Sequence, residues 1–157
     1  MTRPVLVLMR PLPFPSLQTN GQEIEVRQFK GDSSLLDGAT VLCSTVLDVI
    51  DADFIAAIPS SVELIANIGT GYDNIDLVAA TEKGIKVTNT PVVAEDTADL
   101  TFLLILASAR QLTANQNFLR AGHWTSIQPA THLGKTAHGA TLGIVGFGQI
   151  GQAVARR

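Results

Sequence analysis

A single cysteine, Cys43, stands among the 157 residues, which excludes an internal disulfide framework and suits a reducing, cytoplasmic compartment. Charge is scarce too: 16% of residues are charged, against about 25% in an ordinary globular domain. No surplus of lysine and arginine goes with that scarcity, since the net charge is -3. Neither nucleic acid nor an acidic membrane surface is therefore expected as a partner. Long hydrophobic runs are also missing. The longest, Phe102–Ala107, falls far short of the roughly 18 residues that a spanning helix requires. Val5–Met9, between Arg3 and Arg10, is too short for a signal-peptide core. The histidines, His123, His132 and His138, match no zinc spacing and lie far from Cys43, so they read as exposed linker residues and no metal site is expected. The spacing of serines and histidines identifies no nucleophile–base pair. What remains is a soluble, intracellular chain with 46% hydrophobic residues. It is long enough for one good core and too short for two ordinary domains. A chain this apolar is either deeply buried or missing a partner surface.

The apolar residues that are present alternate between two kinds of segment. Val5–Met9 is a continuous run suited to a parallel strand buried on both faces. The prolines of Arg10–Pro15 then require loop or extended backbone. Ile24–Phe29 alternates and predicts an edge strand, Gly31–Gly38 a turn with a short helix, and Thr40–Ser44 a third strand. Asp51–Ile58 predicts a short helix stopped by Pro59, and Val62–Ile68 a fourth strand. Ile75–Lys83 predicts a helix ended by Gly84, and Ile85–Thr88 a fifth strand. Strands alternating with helical segments predict an α/β fold, an open parallel sheet with helices on both faces. Residues 96–121 predict one continuous helix, with Asp96 as its cap, Asp99 completing a capping box and Gly122 past its end. At 1.5 Å per residue its length is roughly 37 Å, more than so small a sheet needs. It is apolar nearly all round from Leu100 to Ala107, so two surfaces are expected to cover it. A helix running between two domains fits that length better than a core helix, and a second domain would begin with a strand at Thr141.

Three places carry candidate chemistry. Ile68–Asn74 follows the fourth strand and contains Gly69 and Gly71. In open parallel sheets ligands bind beyond the carboxyl ends of strands, and two glycines there let backbone N–H groups converge on an anion such as a carboxylate. The same residues would serve as a plain strand-to-helix turn, with Asn74 capping the helix from Ile75. Thr88–Pro91 and the helix start at Asp96–Asp99 form a second cluster, in which the Thr97 hydroxyl could meet a ligand or merely support the cap. The third is Thr141–Gly151, an apolar run that breaks into Gly146, Gly148 and Gly151. This is the G-x-G-x-x-G spacing of a dinucleotide turn, in which the glycines allow a tight turn, close approach of a pyrophosphate, and close helix packing. The acidic residue that would hold a ribose belongs roughly 20 residues later, beyond Arg157. Asp48, Asp51 and Asp53 read as helix-start charge rather than a metal site.

Taken in order, these blocks resemble a known family. Gly69-Thr70-Gly71-Tyr72-Asp73-Asn74-Ile75-Asp76, Ala79-Ala80, Gly84-Ile85 and Val87-Thr88-Asn89-Thr90-Pro91 look like the D-2-hydroxyacid dehydrogenases. So do Thr97-Ala98-Asp99, Gly122-His123-Trp124 and Leu142–Gly151, and the Gly69–Asp76 and Asn89–Pro91 blocks are most similar to glyoxylate/hydroxypyruvate reductases. The resemblance implies a flavodoxin-like parallel-sheet substrate domain over 1–95, a long hinge helix over 96–122, and over 123–157 a linker and the first βα unit of a Rossmann coenzyme domain. It implies that the backbone N–H groups of Thr70 and Gly71 bind the substrate carboxylate, with Val46 or Leu47 walling the pocket. Thr97 would lie near the nicotinamide, and Gly146, Gly148, Gln149, Ile150 and Gly151 would hold the pyrophosphate of NAD or NADP. The implied partners are a small 2-oxo or 2-hydroxy acid and a second copy in a homodimer. The family's catalytic arginine, glutamate and histidine follow the glycine turn, and Arg157 lies six residues past Gly151. No catalytic residue is therefore expected in these 157 residues, which by themselves should be inactive. A strand at Thr141 without neighbours would leave open edges, so residues after about 122 are expected to be disordered, paired with another chain, or packed unlike the family. Two other readings stand beside the reductase: a dinucleotide-sensing protein of the co-repressor kind, and a truncated remnant that only self-associates.

Overall fold

The N-terminal apolar run forms β1 (Val5–Leu8), inside a parallel sheet with β4 (Glu25–Gln28), β5 (Val41–Thr45), β6 (Leu64–Ile68) and β7 (Lys86–Thr88). The computed structural model describes residues 3–13, 16–125 and 132–157. The end of the proline loop and part of the expected linker, residues 126–131, lie outside the described residues. The chain forms two units, Met1–Pro91 and Val92–Arg157.

In the first unit the sheet order is β4-β1-β5-β6-β7. The chain leaves β1 for its neighbour on one side, β4, then returns to the other side at β5, so the winding direction reverses between β1 and β5. All pairings are parallel, which brings the segments after β1, β5, β6 and β7 to one carboxyl edge. The core lies on one sheet face, where Val5, Val7, Leu42 and Ile65 meet Leu36, Ile55, Ile58 and Ala80. Burying each of the larger side chains contributes about 1.5–3 kcal/mol. Two short helices cover that face and contact one another: α1 (Ala52–Ala57), capped by Asp51 accepting from the Phe54 N–H at 2.8 Å, and α2 (Leu77–Glu82). The Lys83 ammonium closes the end of α1 by donating to the carbonyls of Ile55, Ala56 and Ile58, a cation at a helix C-terminus.

Several details differ from the sequence reading. Within Met1–Pro91 the connection from β1 to β4 contains a hairpin, β2 (Gln18–Thr19) with β3 (Gln22–Glu23), which the sequence reading does not include. Its turn is Asn20-Gly21, both at positive φ, the strongest short-range hairpin signal a sequence offers. Asn74 does not cap α2; Asp76 does, accepting from the Ala79 N–H at 2.9 Å. The helix cannot start earlier because Ile75 is held in a bridge with Ile50, whose N–H donates to the Asn74 carbonyl while its own carbonyl accepts from the Asp76 N–H.

The second unit contains α3 (Ala94–Ala109), α4 (Leu112–Arg120) and α5 (Gln149–Arg156). The single helix expected over 96–121 is broken at Gln111, which adopts the left-handed conformation. The cause is the returning chain. The Lys135 N–H donates to the Ala109 carbonyl at 2.7 Å, and that carbonyl is the one an unbroken helix would offer to Thr113. Helix α3 begins at Ala94, so Asp96 lies in its first turn rather than at its cap. The strand expected at Thr141 is absent: residues 141–144 have no ladder partner among the described residues, and a strand exists only as part of a ladder. No helix among the described residues is long and apolar enough to cross a membrane.

Helix α5 docks on α3 through Ala153 and Val154 against Ala98, with Ile105, Ile144 and Ile150 around them. Arg156 and Arg157 complete the contact by pairing with Glu95 and Asp99. Hydrogen bonds from Arg157 and then Arg156 hold the Glu95 carboxyl below its ordinary value of 4.5. A depressed carboxylate contributes stability that is present above 4.5 and lost as pH falls through the lower folded value. The pairs are exposed, so the effect is small and screened by salt. Hydrogen exchange of the α5 amides is expected to speed up relative to the β5 amides between pH 6 and pH 3, and less so in 1 M salt. No pH dependence beyond the intrinsic exchange rate would mean that the apolar contact alone holds α5.

Candidate functional site

The carboxyl edge of the parallel sheet, at the reversal between β1 and β5, is where an open α/β sheet places its ligand crevice. Three loops meet there. The loop after β6 starts at Gly69, whose φ of +148° is a backbone that side chains rarely adopt, and a Cβ added there would lie 2.1 Å from Val46 Cγ1. Only glycine lets Val46, on the loop after β5, come so close. The loop after β7 is tied to the same place. The Gly69 N–H donates to Thr90 Oγ1 at 2.7 Å, the Thr90 N–H donates to the Gly69 carbonyl at 2.9 Å, and Asn89 Nδ2 donates to the Thr70 carbonyl at 2.8 Å.

These tethers decide where the amides point. In a trans peptide the C=O and the following N–H face opposite ways. Holding the Gly69 carbonyl with Thr90 turns the Thr70 N–H away from β7, and holding the Thr70 carbonyl with Asn89 does the same for Gly71. Neither N–H donates to an acceptor among the described residues. The adjacent Gly71 carbonyl is fixed from below by buried Asn67 Nδ2 at 3.0 Å, and Asn67 is itself oriented by buried Ser44, whose hydroxyl donates to Asn67 Oδ1 at 2.9 Å. The Thr70 hydroxyl is buried without a partner among the described residues. The result is a pair of preorganised donors without a fixed charge, suited to a small anion.

The loop after β5 presents apolar side chains beside these donors. Val46, Leu47 and Val49 are all exposed, Leu47 by 70%, while the backbone between them is held from inside. Asp48 is buried and accepts from the Thr45 N–H and hydroxyl and from Arg10 Nε. The sequence groups Asp48 with Asp51 and Asp53 as helix-start charge. Asp51 and Asp53 do lie at the start of α1, whereas Asp48 serves the loop. Asn74 Nδ2 donates to the carbonyls of Thr45 and Asp48, joining this loop to the one bearing Thr70 and Gly71. The sequence reading missed Arg10, Asn67 and Asn74 in these positions; the only signal was their place just beyond, or at the end of, a strand. Cys43 contributes no nucleophile, since burial, and then the Asp48 carboxylate, push its thiol above the ordinary value.

The remaining candidates lie in the second unit. Gly146 turns at φ +88°, Gly148 is the cap of α5, and Gly151 sits against the Gly146 carbonyl, where a Cβ would come within 2.3 Å. Nothing within 4 Å would meet a Cβ on Gly148. Gln149, Ile150 and Gly151 supply the first-turn N–H groups, which have no acceptor within the helix. Thr97, half-buried in the first turn of α3, donates its N–H to the Val93 carbonyl. An apolar cavity of about 500 Å³ is lined by Phe102, Ile105, Leu142, Ile144 and Val154, and by none of the three turn glycines. His123 and His138 are exposed, but His132 is half-buried with its ring 4.3 Å from that of Phe118. Among the described residues no group of His, Cys, Asp or Glu is placed to hold a metal ion.

Residues 5–147 match the family described as D-isomer specific 2-hydroxyacid dehydrogenase, catalytic domain. A glyoxylate reductase of Thermococcus onnurineus is 37% identical over 170 residues, covering 99% of this chain and 50% of its own length. The chain thus spans about half the length of the curated relatives it matches most fully. Among solved structures, D-lactate dehydrogenase from Aquifex aeolicus, complexed with NAD and lactic acid, is similar with a TM-score of 0.80 and 26% identity, covering 97% of this chain and 47% of that one. An NADPH-dependent glyoxylate/hydroxypyruvate reductase from Sinorhizobium meliloti, in complex with NADP and malonate, gives a TM-score of 0.73 and 28% identity, covering 99% and 50%. Both NAD and NADP therefore serve proteins of this kind.

Proposed function

Since the chain belongs to the D-isomer specific 2-hydroxyacid dehydrogenases, we propose that it is the N-terminal part of an NAD(P)H-dependent reductase of small 2-oxo acids of the glyoxylate and hydroxypyruvate type. The observation that carries this reading is the pair of outward N–H groups at Thr70 and Gly71, with their peptide planes fixed by Thr90, Asn89 and Asn67. A carboxylate accepts from both, and Val46 and Leu47 wall the adjoining space. In the second unit, the open backbone at Gly148 and the first turn of α5 fit the pyrophosphate of NAD or NADP, and Thr97 belongs near the nicotinamide end. When bound, the dinucleotide supplies the hydride that reduces the substrate carbonyl carbon. In this reading the chain's residues bind and orient, and the tasks of polarising the carbonyl and delivering a proton to its oxygen fall elsewhere. We assign those tasks to residues that follow the glycine turn in the complete enzyme, and assign 1–95 to the substrate domain, 96–122, which folds as most of α3 and all of α4, to the connection between the domains, and 123–157 to the start of the coenzyme domain. Leu100, Leu103 and Leu104 of α3, each more than half exposed, support a homodimer, and a cytoplasmic location goes with the buried free cysteine.

The test has two parts. Chain ending at Arg157 is mixed with NADH or NADPH and glyoxylate or hydroxypyruvate, and the nicotinamide absorbance is expected to stay constant; steady oxidation would show that the proton donor lies within these residues. Titrating the labelled chain with glyoxylate is expected to move the Thr70 and Gly71 amide resonances first. Shifts confined to other residues would remove the carboxylate site from this loop.

A further inference from the structure

Arg10 and Asp48 have no assigned part in holding the carboxylate, yet together they join two loops at the carboxyl edge. Arg10 follows β1, and Asp48 lies in the loop after β5, so the pair spans the reversal point of the sheet. Arg10 Nε donates to Asp48 Oδ1 at 2.7 Å and its terminal nitrogen donates to the Leu47 carbonyl at 2.9 Å. The other oxygen of Asp48 accepts from the Thr45 N–H at 2.8 Å and the Thr45 hydroxyl at 2.9 Å. The Asp48 N–H, in turn, donates to the Thr45 carbonyl at 3.0 Å. Both ends of the peptide joining Leu47 to Asp48 are therefore fixed, the carbonyl by Arg10 and the N–H by Thr45.

The Asp48 carboxylate that gathers these bonds is buried, while the side chains of Val46 and Leu47 stand exposed. Exposed apolar side chains on a loop whose backbone is tied at Thr45, Leu47 and Asp48 are held for contact rather than left there by mobility. Through Asn74 the same loop is joined to the one carrying Thr70 and Gly71, and Val46 rests on Gly69. The distance between the apolar wall and the carboxylate donors is thereby set by this network. That distance limits the size of the substituent a 2-oxo acid can carry beyond its carbonyl.

We propose that Arg10, acting through Asp48 and the Leu47 carbonyl, is a positioning residue that sets substrate size selectivity at the Val46–Leu47 wall. The proposal rests on the reading of Thr70 and Gly71 as the carboxylate site. A planar guanidinium is needed because it reaches a carboxylate and a carbonyl at once in fixed geometry, whereas a lysine ammonium carries the charge without the fork.

The experiment compares the affinities of glyoxylate and 2-oxobutanoate for the 157-residue chain, read from amide shifts, in the parent, Arg10→Met and Arg10→Lys. The parent is expected to prefer glyoxylate. A hydrophobic wall discriminates by about tenfold or more per methylene, so Arg10→Met is expected to reduce the preference by about tenfold, with glyoxylate affinity within about twofold of the parent. Arg10→Lys, which keeps a cation beside buried Asp48 and so protects folding, is expected to fall between. A preference unchanged in both variants, with their spectra still those of the folded chain, overturns the proposal. Binding of neither acid to the parent removes the carboxylate reading itself and this inference with it. Equal loss of both acids in the variants assigns Arg10 to stability or to the carboxylate loop, and also overturns the role in selectivity.

Discussion

Gly69→Ala is expected to destabilise the unit Met1–Pro91 by about 3 kcal/mol. Part of the loss is in the backbone: at φ +148° an alanine is held where only glycine is comfortable, at about 1–3 kcal/mol. The rest is steric, since the new methyl would lie 2.1 Å from Val46 Cγ1, and overpacking of this kind costs about 1–3 kcal/mol. Neither loop can move aside freely. Gly69 is held by two bonds to Thr90, and the loop of Val46 is held by Asp48 and Asn74. For a unit of this size the loss corresponds to roughly 12–24 °C in Tm, measured by thermal unfolding followed at Tyr72 or by circular dichroism. The steric part is separable. Val46→Ala in the Gly69→Ala background removes the clash and is expected to return about 1–2 kcal/mol, leaving the backbone part in place. A Gly69→Ala chain as stable as the parent, or no recovery in the double variant, would mean that Val46 and Gly69 do not set the spacing of the two loops.

That spacing was only half legible in the sequence. The glycines of Gly69–Gly71 after an apolar strand announced a loop with exposed amides, and the resemblance put a carboxylate there. What holds the amides in place was not legible, because Asn67, Asn89 and Thr90 act across strands whose order the chain does not state. Asp48 shows the same limit. Next to Asp51 and Asp53 its charge looked like part of a helix start, and only the pairing of β5 beside β1 brings Arg10 to it. The parallel sheet itself followed from periodicity, since β1, β5 and β6 are short apolar runs bounded by turn residues. Local rules failed where distant segments supply the partner. The helix read across 96–121 had every propensity to continue, and it breaks because Lys135 takes the Ala109 carbonyl. The run at Thr141 has the composition of a strand but no neighbour to pair with among the described residues. The Asn20-Gly21 hairpin, by contrast, is legible in the sequence, because Asn-Gly between two short segments needs no distant partner.

Gly151→Val is expected to undock α5 from α3, and Gly148→Ala to leave it docked. The turn has the glycine spacing of a dinucleotide site, yet its glycines meet different physical demands. A side chain at Gly151 would place Cβ 2.3 Å from the Gly146 carbonyl oxygen and 3.4 Å from Ile144 Cγ2. The first contact is with backbone at the tightest point of the turn, and no rotamer change relieves it. The helix must retreat, and with it go the contacts of Ala153 and Val154 with Ala98 and the ion pairs of Arg156 and Arg157 with Glu95 and Asp99. That contact buries few side chains, so an overpacking cost of about 1–3 kcal/mol is comparable with everything that holds α5 in place. Hydrogen exchange at Ala153–Arg156 reads the result: protection is expected to fall at least tenfold in Gly151→Val, and a change below twofold would contradict the packing described. At Gly148 a Cβ meets nothing within 4 Å, and φ is an ordinary −77°, so alanine is expected to preserve that protection. If the turn holds a pyrophosphate, the open space at Gly148 is where the phosphate oxygens approach, and the same alanine should weaken dinucleotide binding without touching the fold. Stability and binding thus separate onto two residues three positions apart. Gly151 answers to the helix behind the turn, and Gly148 to whatever comes to its front.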